Sequence, residues 1–179
     1  MTEHMTGRLS LIWVVLSCSA LWLLPAPAAA APQPAERPHS DVVATRTSRP
    51  PVIDGHLTDE CWAVAVPASD FTQQDPDEGK PASEATEVRF VYDDEALYVG
   101  IRLLDDEPAR VVRRLSTRDS DADADRVTIW LDPMHDRLTG AMFQVSAANV
   151  QQDAILYNDS WTDNSWDAVW QSQVSFDDN

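Results

Sequence analysis

Positive charge is scarce in this chain: 13 Lys and Arg stand against 30 Asp and Glu, a formal net charge of −17. Residues 1–40 add nothing to that imbalance, because Glu3 and Glu36 offset Arg8 and Arg37, so all of it falls on the remainder. A surface of that sign repels nucleic acid and anionic lipid, while it accepts neutral ligands and divalent cations. Cysteine is sparse too. Of the two, Cys18 lies inside an N-terminal apolar run, so once that run is removed Cys61 has no partner and no internal disulfide can form, even in an oxidising compartment. Set in Asp-Glu-Cys-Trp beside apolar residues, Cys61 reads as a small buried side chain rather than a reactive thiol. Five glycines are few for an all-β chain; Asn and Asp take over many of the turns. Also missing are G-x-S-x-G, H-E-x-x-H and a phosphate-binding loop. The histidines His39, His56 and His135 lack metal-ligand spacing, and no carboxylate sits in an apolar motif of the kind that raises the pKa of a glycosidase acid. Independent catalysis is therefore not expected.

What is present begins with export. Arg8 precedes an apolar run from Leu9 to Leu24, and Pro-Ala-Pro-Ala-Ala-Ala-Ala follows. The small residues between Ala28 and Ala31 suit signal peptidase, so residues 1–30 are expected to be a signal peptide. A membrane anchor is the rival reading, but the run is short of the ~20 residues a bilayer needs; a lipoprotein signal at Cys18 is a poor match. The expected location is exported: periplasmic, outer-membrane associated or secreted. Residues 31–49 are rich in Pro and polar groups and form a linker with one short edge strand, Asp41–Arg46.

The domain starts at residue 50. Asp54-Gly55 is a turn, and Thr58 or Asp59 caps a short helical turn carrying Cys61, Trp62 and Val66. Beyond it the apolar period is two. Thr86–Tyr92 places Val88, Phe90 and Tyr92 on one face; Ala96–Asp105 places Leu97, Val99, Ile101 and Leu103 inward, with Tyr98 and Arg102 outward. The acidic turn between them makes a hairpin. Residues 106–119 suit a short helix or a loop. Arg126–Pro133 sets Val127, Ile129 and Leu131 against Thr128, Trp130 and Asp132 on the other face. Ala141–Ala148 places Phe143 and Val145 inward and Gln144 and Ser146 outward, and Asn149 closes it with positive φ. Residues 151–157 form a fifth strand, a Trp- and Asp-rich loop follows, and Trp170–Phe176 forms a sixth. Short one-faced strands joined by turns, with no long helical pattern between them, describe an all-β antiparallel sandwich of the immunoglobulin or jelly-roll kind.

Four stretches in order, PVIDGHLTDECW, TEVRFVYDDEALYVGIRLLDDEP, DRVTIWLDP and TGAMFQVSAANVQQDA, resemble the family 9-like carbohydrate-binding domain over residues 50–179. The resemblance implies a non-catalytic β-sandwich module for polysaccharide or oligosaccharide, of the kind that stands beside xylanases. Any glycosyl hydrolase activity would come from partner domains. A related group carries the domain at the N-terminus of outer-membrane proteins with a C-terminal β-barrel-like region, and the RD…DRVTIWLDP…DRLTGAMFQV pattern looks closer to that group. The family continues with further strands beyond the point reached here, so the sandwich is expected to be incomplete and the chain a fragment, touching a membrane only through the missing part. Against the sugar-binding members, one clamp tryptophan falls near Ala122, a carboxylate falls at Thr128 and an arginine at Gln144. The resemblance thus supports the fold better than sugar affinity.

Sugar rings stack their C–H faces on aromatic planes and hydrogen-bond planar polar side chains. The carbohydrate-binding candidates are Trp130, Thr128 and Gln144 on one face, with Trp161 and Trp166 from the polar loop; Trp170 stands beside them. The competing reading packs these tryptophans under a partner domain. Trp62 is core. In Asp-Ser-Asp-Ala-Asp-Ala-Asp, the alternating Asp121, Asp123 and Asp125 offer a Ca²⁺ site, against a plain solvated loop. Two functions follow: a carbohydrate-binding module in polysaccharide catabolism, or a docking domain of a larger outer-membrane protein with no sugar affinity of its own.

Overall fold

The computed structural model describes residues 42–158 and 160–177, all within one compact unit, His39–Asn179. The expected signal peptide, residues 1–30, and most of the expected linker lie outside the described residues. The molecule is an all-β sandwich of two sheets. The first contains β1 (Ala44–Arg46), β2 (Thr86–Tyr92) and β3 (Leu97–Leu103) in that order; β1 runs parallel to β2 and β3 antiparallel. The second is an antiparallel meander of β4 (Arg126–Leu131), β5 (Gly140–Ser146), β6 (Gln151–Tyr157) and β7 (Trp161–Asp163). One short helix, α1 (Glu60–Val64), precedes β2, and a single 3₁₀ turn, Pro108–Arg110, follows β3. Among the described residues no helix is long and apolar enough to cross a membrane.

The β2–β3 hairpin closes where the acidic turn predicts. The Asp93 carboxylate accepts the backbone N–H groups of Glu95 and Ala96 and the Tyr98 hydroxyl. Those donors hold its pKa below the ordinary carboxylate value. Asn and Asp serve turns as expected: of six non-glycine residues with positive φ, Asp70, Asp119, Asn149 and Asn158 are of these types.

The first sheet carries its core on the face opposite to the one the alternation suggests. Val91, between Phe90 and Tyr92, is fully buried, and it clusters with Cys61, Trp62 and Ala65, flanked by Leu57 and Tyr98. Tyr98, expected outward, sits directly across from Val91. The cause is α1: its indole lies on this face, and Gly100, with no Cβ, leaves the room; a Cβ there would sit 2.9 Å from the Trp62 ring. Asp59 is the N-cap residue, though its side chain makes no capping bond, and the buried residue after the helix is Ala65, since Val66 is 59% exposed. Burying a side chain such as Val91 contributes about 1.5–3 kcal/mol.

Trp170–Phe176 is not a strand. Its alternation is real, but its bonds come from side chains rather than a ladder. Ser172 is tied to Asn149 and Gln151, and the Ser175 hydroxyl donates to the Gly55 carbonyl at 2.6 Å. The segment lies as a strap against the second sheet, ending with the Arg113 guanidinium 3.3 Å from the Phe176 ring centre.

Candidate functional site

Pairing register decides which side chains of the second sheet meet. Residues in register share a face, and successive residues alternate. Thr128, Gln144 and Gln152 are in register on β4, β5 and β6, as are Trp130, Met142 and Ala154. Arg126 and Ser146 belong to the same face. Three side chains form a continuous polar row across it. The Thr128 hydroxyl donates to Gln144 Oε1 at 3.0 Å, and Gln144 Nε2 donates to Gln152 Oε1 at 2.7 Å. Gln152 was not foreseen, although its place opposite Gln144 is the signal that would have found it.

Gln144 and Gln152 of this row floor a small recess. Ser116, Ser120, Ala122 and Ala124, from the segment that leads into β4, form its wall together with Arg126 and Ser146. This face is therefore less open than the outward reading implies: Thr128, Gln144 and Gln152 are half-buried, and Met142 and Ala154 beside them are buried. Trp130 keeps to the surface at 56% exposure, while Val127, Ile129 and Leu131 on the opposite face are half-buried. Ala122, near which the resemblance implied a clamp tryptophan, is a small side chain lining the recess.

The remaining aromatics are not brought to this row. Trp161 pairs with Tyr157, which places both on the opposite face with Ile129, Phe143 and Asp153. Trp166 and Trp170 cover that same face, edge-on to the Phe143 ring at centroid distances of 6.1 and 5.3 Å. The five candidates thus divide into Trp130, Thr128 and Gln144 on one side, and Trp161 and Trp166 on the other. Neither the composition of the loop nor its length fixes that parity; the β6–β7 register does.

The acidic run is spent on other partners. Asp121 accepts from Arg126 at 3.2 Å, and the Asp125 carboxylate accepts the Val112 N–H at 2.8 Å. Asp121, Asp123 and Asp125 do not converge, and among the described residues no group of three or more His, Cys, Asp or Glu side chains could hold a metal ion.

The most enclosed polar group was also unforeseen. Asp153 is fully buried on the Phe143 face. Its carboxylate accepts the Ala168 N–H and the Trp170 indole N–H, both at 2.9 Å, and is paired with Arg118. Burial pushes this carboxyl up, but the Trp170 and Ala168 bonds and the Arg118 charge outweigh it and hold the pKa below the ordinary value. Arg118 also reaches Asp167 at 2.8 Å, the Ala168 carbonyl at 3.1 Å and Gln151 at 3.1 Å. The Asp119 N–H then donates to the Gln151 carbonyl. Arg118 and Asp153 therefore anchor the segment that leads into the strap, while the neighbouring Asp119 ties the start of the recess wall to β6.

No curated protein and no solved structure matches the chain. The family model described as "Carbohydrate family 9 binding domain-like" matches residues 53–177, the stretch that contains both faces just described and all of the strands except β1, and the chain belongs to that family.

Proposed function

We propose that the chain is a non-catalytic carbohydrate-binding module of an exported protein that serves polysaccharide catabolism, and that its ligand lies on the Gln144 face. The observation that carries this reading is the Thr128–Gln144–Gln152 row beside the exposed Trp130. Amide and hydroxyl groups in a fixed line meet sugar hydroxyls, and the indole offers its plane to a ring face. The strongly acidic surface favours a neutral glycan. A binding rather than a hydrolytic role is supported by the family match over residues 53–177. Export rests on the apolar run and small-residue flank of residues 9–31.

Affinity electrophoresis of the protein on xylan and cellulose tests the proposal. Retardation by either glycan, reduced about tenfold in apparent affinity by Trp130→Ala and by Gln144→Ala, is the expected result. Mobility unchanged by every glycan, with or without Ca²⁺, overturns it. That result would leave the docking role in a larger outer-membrane protein, to which the exposed Trp130, Met134 and Leu138 would then belong.

A further inference from the structure

Tyr157 and Trp161 face each other across the β6–β7 hairpin, yet they do not bury one another. Their ring centroids stand 6.3 Å apart with planes only 31° from parallel. Tyr157 is 40% and Trp161 63% exposed. The two neighbouring exposed rings thus pave this part of the surface. The other tryptophans on this face behave differently: Trp166 and Trp170 turn their rings against Phe143 and are half-buried. Trp161 alone of the three is exposed, where an indole gains little by hydrophobic burial.

A polar group stands beside the paving. Asp163 is two residues along β7, hence on the same face, and across from it Ile155 is 37% exposed. The Asp163 carboxylate is fixed by the Ser165 N–H at 2.9 Å and the Ser165 hydroxyl at 2.6 Å. Those two bonds hold its pKa below the ordinary carboxylate value, so it is an ionised acceptor at neutral pH.

We infer that the β6–β7 hairpin is a second glycan-contact site, in which Tyr157 and Trp161 stack successive units of a neutral pyranose chain and Asp163 accepts a ring hydroxyl. Nucleobases would also stack on such rings, but their phosphates meet a chain of net charge −17. An acidic polysaccharide is disfavoured for the same reason. The inference shares with the proposed function the premise that the ligand is a glycan, but it stands on the opposite face of the sheet. A long polymer can engage the two faces through separate molecules or separate strands, whereas a short oligosaccharide reports each face alone.

The test is isothermal titration with xylohexaose and cellohexaose, together with pull-down on insoluble xylan and cellulose, for the wild-type protein, Trp161→Ala, Tyr157→Ala and Gln144→Ala. Circular dichroism confirms that each variant is folded. Trp161→Ala and Tyr157→Ala are expected to lower pull-down by about tenfold, and Trp161→Phe to restore part of it. Gln144→Ala should leave the hairpin's share intact. Wild-type retention by folded Trp161→Ala overturns the second site while the Gln144 face stands. Loss in Trp161→Ala with none in Gln144→Ala supports the hairpin and removes the Gln144 face. Failure of the wild-type protein to bind any of the four glycans overturns both. A change in sedimentation of Trp161→Ala, with glycan binding unaltered, shows a protein contact instead and also overturns the inference.

Discussion

Removing the Asp153 carboxylate should be among the most damaging single changes available on the second sheet. In Asp153→Ala the indole N–H of Trp170 and the N–H of Ala168 lose their acceptor, and Arg118 loses its buried partner. Stranding a half-buried donor costs about 1–3 kcal/mol, and breaking a buried ion pair about 3–5 kcal/mol. The Arg118 side chain is 37% exposed and keeps Asp167 and the Ala168 carbonyl, so its share is screened. A total of about 3 kcal/mol follows for Asp153→Ala, and about 2 kcal/mol for Arg118→Ala, where Trp170 and Ala168 still satisfy the carboxylate. Urea unfolding followed by tryptophan fluorescence measures both. The pH dependence has a fixed sign. The folded carboxyl is held below its unfolded value of about 4, so its contribution is complete above that pH and fades as pH falls through the lower folded value. The stability gap between wild type and Asp153→Ala should therefore be flat at neutral pH and narrow below about pH 4. A gap under about 1 kcal/mol at pH 7, or one that widens on acidification, would refute the reasoning.

Two further outcomes test the first sheet. Gly100→Ala places a Cβ 2.7 Å from a Leu57 methyl and 2.9 Å from the Trp62 ring; the leucine tip can move but the indole cannot, so thermal melting should show a loss of about 1–3 kcal/mol. Cys61 is buried, and burial followed by the nearby Asp59 charge raises its thiol pKa. Its alkylation by iodoacetamide at pH 8, followed by mass spectrometry, should be at least tenfold slower in the native protein than in urea.

Strand positions were legible because a one-faced strand must alternate, and β2 to β6 fall within a residue or two of their expected bounds. Which face is covered was less so. In β2 the buried Val91 shares its face with Glu87 and Arg89, so the alternation points to the other face, and the decision belongs to Trp62, which arrives from α1 some thirty positions earlier. Asp153 gave no local sign of burial, since its partner Arg118 lies 35 residues away. Trp170–Phe176 alternates like a strand but finds serine, asparagine and glutamine side chains instead of an edge. For the candidate site, Thr128 and Gln144 were readable from parity within β4 and β5. The division of Trp161 and Trp166 from them was not, because it depends on a hairpin register that the polar loop leaves open.

The row on the Gln144 face has a direction. Each hydrogen bond in it runs the same way, from the Thr128 hydroxyl to Gln144 and from the Gln144 amide to Gln152. The terminal amide of Gln152 is left with hydrogens to give, and the Thr128 oxygen with lone pairs to receive. A molecule laid along the three strands meets a giving end over β6 and a receiving end over β4. Turned end for end, it would face the wrong group at both, so on the proposed function this site would favour one polarity of the glycan.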